Sequence, residues 1–183
     1  YFLDNAMHIC FGIHDKDGNY SVWAGTTMQS IVENTKAPIV FHILHDDTLN
    51  EMNKNKLSLI ADNSGNGIEF HHFNPDIFGS LADSMNRFTI GTMFRIMLPD
   101  IMPDLKKIIY LDSDLFVNTD IEELWNLNID NYCLAAAPDC STIRNWGTPY
   151  AVAAGQTSRD RYFNAGVLCM NLDNIRKNGS LFQ

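Results

Sequence analysis

Asp112 and Asp114 are the residues of this chain best placed to do chemistry. They follow the apolar run Ile108-Ile109-Tyr110-Leu111 directly and are spaced two apart. In an extended backbone, residues i and i+2 project to the same side, so both carboxylates face one point at the end of what reads as a buried strand. Carboxylates held that close repel unless a cation sits between them or one takes up a proton. Hard divalent cations favour such oxygen ligands. The residues alone leave a metal site, a carboxylate nucleophile and a polar turn, where Asp is common. The apolar residues Leu115-Phe116-Val117 that follow predict burial of the pair's backbone at both ends, which favours a functional site over a turn.

A nucleophilic Asp-x-Asp after a buried strand is the pattern of aspartyl phosphatases, in which the first Asp attacks a phosphoryl group. That pattern continues with a small residue and then Thr or Val, whereas Leu115-Phe116 stands here and supplies no hydroxyl. Arg95 is a cation in an apolar helical stretch and needs a partner. A carboxylate such as Asp100 or Asp104 is the structural choice and a bound anion the functional one. His42, His45, His71 and His72 sit near the second and third predicted strands. His45-Asp46-Asp47 reads as a cation site or, equally, as the capped start of a helix, and no complete zinc ligand set is readable.

These groups have to be positioned by an α/β framework. Strands are predicted over Met7 to Ile13, Ile39 to Leu44, Ile68 to Phe73, Lys107 to Leu111, Tyr132 to Ala137 and Phe163 to Met170. Helices are predicted over Tyr20 to Asn34, after a Thr48 cap with Glu51 as capping-box partner, over Thr92 to Leu98 closed by Pro99 and Pro103, over Ile121 to Leu127 after an Asp120 cap, and over Leu172 to Lys177. Trp23, Thr27, Met28, Ile31 and Val32, and then Leu49, Met52, Leu57 and Ile60, form the apolar stripes of the first two helices. Trp125 reads as core. Asn74 to Ser84 reads as a loop with a helical turn, and Asp139 to Arg161, with Trp146, as a long irregular loop suited to an acceptor. Alternating strands and helices imply a mostly parallel sheet with helices on both faces, binding its ligand beyond the carboxyl ends of the strands.

The 183 residues suffice for one domain with a substantial core, and 45% of them are hydrophobic. The net charge of −9, from 13 basic and 22 acidic residues, argues against a sequence-independent nucleic-acid binder. An anionic substrate remains compatible through a bridging cation. Cys10, Cys133 and Cys169 lie in apolar runs and Cys140 in the long loop. They read as reduced thiols of a cytosolic protein, with two disulfides in a secreted domain as the alternative. No apolar run reaches membrane-spanning length.

Five stretches, in order, carry a resemblance to glycosyltransferase family 8. They are His8-Ile9-Cys10-Phe11-Gly12-Ile13 with Gly18-Asn19-Tyr20; Phe41-His42-Ile43-Leu44-His45-Asp46; Thr92-Met93-Phe94-Arg95-Ile96-Met97-Leu98; Ile109-Tyr110-Leu111-Asp112-Ser113-Asp114; and Tyr162-Phe163-Asn164-Ala165-Gly166-Val167-Leu168. The chain resembles the bacterial lipopolysaccharide galactosyl- and glucosyltransferases of that family more than glycogenin. The resemblance implies a Rossmann-like nucleotide-diphospho-sugar transferase fold of the GT-A type. It implies retaining, metal-dependent transfer of glucose or galactose from UDP-glucose or UDP-galactose to a glycan or lipooligosaccharide acceptor. Asp112 and Asp114 match the family's Asp-x-Asp motif, which holds Mn²⁺ (or Mg²⁺) against the donor diphosphate, with Ser113 lending backbone contacts.

Gly12, Ile13, Asn19 and Tyr20 match the family's uridine pocket, where a small residue lets a ring approach the backbone. His14, Asp15 and Asp17 all stand near the acidic position that faces uracil or ribose, in a turn longer than the usual one. Arg95 matches an arginine beside the donor sugar and diphosphate, and Asn164 and Ala165 match residues of the sugar pocket. The family pattern continues past Gln183, with an Asp-containing motif and a His-x-x-Gly-x-x-Lys-Pro-Trp segment whose His is a third metal ligand. The chain is therefore expected to be a single catalytic domain truncated at its C-terminus, with no catalytic residue assignable. The expected location is the cytoplasm, with peripheral association at the inner membrane face through the C-terminal region as one version of it. A catalytically silent sugar-nucleotide-binding module is the remaining alternative.

Overall fold

The computed structural model of the chain describes residues 5–74, 90–138 and 163–178. The loops expected around 75–84 and 139–161, with Trp146 and Cys140, lie outside the described residues. In chain order the elements are β1 (Met7–Ile13), α1 (Tyr20–Asn34), β2 (Ile39–His45), α2 (Glu51–Asn63), β3 (Gly67–His72), α3 (Ile90–Ile101), β4 (Lys107–Leu111), α4 (Glu122–Trp125), β5 (Leu134–Pro138), β6 (Phe163–Asn171) and α5 (Leu172–Lys177). The strands form one sheet in the order β3-β2-β1-β4-β6-β5. β3, β2, β1 and β4 run parallel, and β6 is antiparallel to both β4 and β5.

Strand alternation divides the core into two layers. Ile9, Phe11, Phe41, Ile43, Ile109 and Leu111 pack on one face against Met28 and Ile31 of α1 and Leu57 of α2. Cys10, Leu44, Ile108, Tyr110, Leu168 and Met170 pack on the other against Phe94, Met97 and Leu98 of α3 and Leu172. Both faces of β1, β2 and β4 are thus covered, which is why their sequences are apolar runs rather than alternating ones. Burial pushes the Cys10 thiol well above its ordinary value, and Cys10, Cys133 and Cys169 are free thiols.

Several expectations are corrected. Thr48 does not cap α2: its hydroxyl donates to Asp46 Oδ1 and accepts from the Asp15 amide at 2.6 Å. Asn50 is the cap, accepting from the Asn53 amide at 2.9 Å. Pro99 does not close α3, which runs on to Ile101. Arg176 of α5 supports that last turn, donating to the carbonyls of Pro99, Met102 and Leu105, where a cation is favoured by the helix dipole. Trp23 and Met52 are exposed rather than core. Trp125 is packed against the core as expected, and Asp120 accepts from the Glu122 amide at 3.0 Å. Phe116 is 70% exposed, so it does not bury the acidic turn from its far side.

Thr27 on α1 does that instead. Its hydroxyl lies 2.8 Å from the Ser113 carbonyl and 2.6 Å from that of Leu115, fastening the turn after β4 to the first helix. Thr27→Val keeps the shape and removes the bond. It is expected to cost about 1–2 kcal/mol, read as a lower denaturation midpoint with an unchanged m-value.

Candidate active site

The order β2-β1-β4 places the point where the sheet changes direction between β1 and β4. There the crossovers diverge and a crevice opens at the carboxyl ends of the strands. Phe11 pairs with Leu111, so Gly12 and Ile13 stand level with Asp112 and Ser113. The antiparallel β6 brings its N-terminal end to the same edge. Leu111 pairs with Val167, and the Asp112 amide donates to the Gly166 carbonyl at 2.8 Å. Residues 95, 112 and 164–166 thus converge from separate parts of the chain, with the end of β1 in register beside them.

The carboxylate that meets Arg95 is Asp112. The arginine Nη2 donates to Asp112 Oδ1 at 2.8 Å, and Nη1 donates to the Ala165 carbonyl. Its guanidinium carbon lies 4.6 Å from the centre of the Tyr110 ring, a cation–π arrangement that fixes its plane. Burial, and then Asp114, push the Asp112 carboxyl above the ordinary carboxylate range, with Arg95 pulling it back. Asp112 is therefore half-buried beside a second carboxylate, and Asp114 is exposed.

Gly166 lies in a stretch that carries the family resemblance, but the sequence gives it no role, because the contact that demands a glycine joins distant segments. A Cβ there would lie 2.6 Å from Asp112 Oδ2 and 3.1 Å from Asn164 Oδ1. Asn164 is exposed, and its Oδ1 accepts from the Gly166 amide at 2.8 Å. The Ser113 hydroxyl is buried with no hydrogen-bond partner among the described residues.

The turn after β1 separates its residues. Asp15 is buried, and its carboxylate points inward, accepting from the Ser21 amide at 3.0 Å and from Asn53 Nδ2 at 2.9 Å. It caps α1 in place of Asn19, whose side chain makes no capping bond. Asn19, Tyr20 and Asp17 are left exposed at the mouth of the turn. Tyr20 lies against Trp23, ring centres 5.0 Å apart. His14 pairs through Nδ1 with Asp46. Burial raises the Asp46 carboxyl, but bonds from Thr48 and His14 outweigh it and hold the value below the ordinary one.

The acidic pair offers a cation two protein carboxylates. The buried Ser113 oxygen, without a partner among the described residues, and the repulsion at Asp112 fit a site completed by something that brings positive charge. Among the described residues, a group of three potential ligands occurs at His42, Glu69 and His71. Burial and the neighbouring His8 and His71 push His42 down to about 3, so it is a neutral imidazole.

The parallel sheet with the antiparallel β6 beside β4 is the GT-A type of fold that its solved neighbours share. The galactosyltransferase LgtC, solved in complex with donor and acceptor sugar analogues, superimposes with a TM-score of 0.81 at 28% identity, over 96% of this chain and 62% of that one. A putative glycosyltransferase of Haemophilus influenzae is 31% identical over 171 residues, 93% of this chain and 51% of its own length. The lipopolysaccharide 1,3-galactosyltransferase of Salmonella typhimurium is 25% identical over 91% of this chain and 48% of its own. Glycosyl transferase family 8 matches over residues 11–181, and the chain belongs to that family. It spans about half the length of these curated relatives. Membership sets aside the aspartyl-phosphatase reading. No described helix is long and apolar enough to cross a membrane.

Proposed function

We propose that this chain is the donor-binding domain of a retaining, Mn²⁺-dependent hexosyltransferase that moves glucose or galactose from a UDP-sugar to a glycan acceptor. The observation that carries the reading is the convergence of Asp112, Asp114 and Arg95 at the sheet's switch point. Transfer of a hexose leaves a nucleoside diphosphate, and negative charge grows on it as the glycosidic bond breaks. A cation held by Asp112 and Asp114 would supply the countercharge at that diphosphate. Arg95 holds Asp112 in one orientation and carries positive charge into the crevice. Gly12, Ile13, Asn19 and Tyr20 form the wall toward which the uridine is directed. Asn164 and Ala165 face the sugar, where an amide can both donate and accept.

Asp15 serves as a positioning residue that ties α1 to α2, leaving His14 and Asp17 as the polar groups nearest the nucleoside. The acceptor is assigned to cell-surface glycan synthesis, such as lipopolysaccharide, on the strength of the Salmonella relative, and the site of action to the cytoplasmic face of the membrane.

Calorimetry with UDP, with and without Mn²⁺, tests the reading. UDP binding is expected to depend on Mn²⁺ and to weaken at least about tenfold in Asp114→Ala. UDP binding unaffected by Mn²⁺ and by that substitution would overturn it. Hydrolysis of a UDP-hexose by the natural full-length protein separates an active transferase from a silent binding module.

A further inference from the structure

Away from the acidic pair, one face of the sheet carries a row of imidazoles. His8 on β1 places Nδ1 2.9 Å from Nε2 of His42 on β2, and His42 Nδ1 lies 3.0 Å from Nε2 of His71 on β3. Glu69, also on β3, brings Oε2 to 3.4 Å from His42 Nδ1 and 3.6 Å from His71 Nε2. Strand register accounts for the cluster. His42 pairs with Glu69 and Leu44 with His71, so Glu69 and His71 project one pleat apart on the same side of β3.

The three atoms form a triangle with edges of 3.0, 3.4 and 3.6 Å. A cation with ligand bonds of about 2.0–2.2 Å separates its neighbouring ligand atoms by about 3–3.6 Å at octahedral to tetrahedral angles. The triangle therefore has the dimensions of one face of a coordination polyhedron. We propose that His42, Glu69 and His71 form a structural binding site for a divalent transition metal of the zinc class, clipping β3 to β2.

The donor set selects the metal. Two imidazoles and one carboxylate suit zinc-like ions, whereas magnesium and calcium favour all-oxygen shells. His8 supplies the outer support such sites use. With the His42 Nε2 proton donated to His8 Nδ1, the lone pair on His42 Nδ1 points into the triangle. His42 is buried and fixed within the sheet. The Glu69 and His71 side chains are 59% and 24% exposed, giving the ion an entry path and leaving water at the fourth position. The site lies on β2 and β3, apart from Asp112 and Asp114 beyond the end of β4.

Cobalt(II) is the probe, because tetrahedral coordination gives it intense visible absorption. It is titrated into the Asp112→Asn/Asp114→Asn double variant, which lacks the acidic pair, and into that background carrying His71→Ala or Glu69→Gln. One equivalent of cobalt is expected to develop the bands in the double variant and to be displaced by zinc. The bands should be lost with His71→Ala and weakened with Glu69→Gln, an exposed, isosteric change that spares the fold. Zinc should raise the thermal midpoint of the parent but not of the His71→Ala variant. His8→Ala should keep the bands while weakening zinc about 10–100-fold. Absent bands in the double variant, or bands and midpoints indifferent to His71→Ala and Glu69→Gln, would overturn the site and leave a hydrogen-bonded imidazole row.

Discussion

Replacing Gly166 with alanine is expected to lower sugar transfer by about 100-fold while leaving the protein folded. The backbone itself accommodates the change, since positive φ occurs among the described residues only at Gly18 and Gly65. The obstacle is the side chain of Asp112, whose Oδ2 would lie 2.6 Å and Cγ 3.2 Å from the new methyl. Asp112 has little freedom to yield. Its amide is bonded to the Gly166 carbonyl and its Oδ1 to Arg95. Overpacking of this kind costs about 1–3 kcal/mol, so the variant should remain folded while the carboxylate is turned from the cation position. The measurement is kcat and KM for a UDP-hexose in the full-length protein, alongside Mn²⁺-dependent UDP binding. A kcat within a few-fold of the parent would show that Asp112 tolerates the displacement.

Arg95→Met is the second large effect. It keeps the packing over Tyr110 but removes the cation from both Asp112 and the Ala165 carbonyl. A charge-assisted donor lost beside a developing anion costs about 100-fold in turnover. The stability cost is about 1–3 kcal/mol, below that of a fully buried pair because Asp112 is 37% exposed. The pH dependence has a defined sign. The Asp112 carboxyl is raised by burial and by Asp114 and lowered by Arg95. A carboxyl raised on folding favours the folded state at low pH, and that contribution is lost as pH rises through the folded value. Without Arg95 the value climbs further, so the variant should be more destabilised at about pH 8 than at about pH 5. Denaturant melts at the two pH values check this, and equal losses at both would show that Arg95 does not govern Asp112.

The fold was legible where burial is written into consecutive residues. Lys107–Leu111 and Leu172–Lys177 fall at the bounds read from the sequence, and the structure adds Asn171 as the cap of the last helix. The acidic pair stood out because its spacing is local, and the structure sets it in the turn after β4, with Asp112 half-buried and Asp114 exposed. The rest of the site depends on contacts that no short window contains. Gly166 matters only once β6 lies antiparallel to β4, and Thr27 only once α1 lies over the turn that follows β4. Thr48 looked like a cap by residue type, but its hydroxyl was already engaged by Asp15 and Asp46. Phe116 looked buried by composition and is exposed. The imidazole row was hidden for the same reason as Gly166, because only the register of three strands brings His8, His42 and His71 together.

The antiparallel strand β6 also bears on the order of assembly. The β1, β2 and β3 pairings are joined by short crossovers through α1 and α2, and their loops close at low entropic cost. The β4–β6 pairing must span the long stretch that includes β5 before Gly166 can meet Asp112. Such non-local closure is slow in folding and costs more chain entropy. The half of the sheet carrying β1 to β3 can therefore consolidate before the acidic pair has its far wall. The wall that β6 gives the acidic pair is therefore expected to close on a scaffold already in place, and β6 then holds it from an interior position, bonded to β4 on one side and β5 on the other.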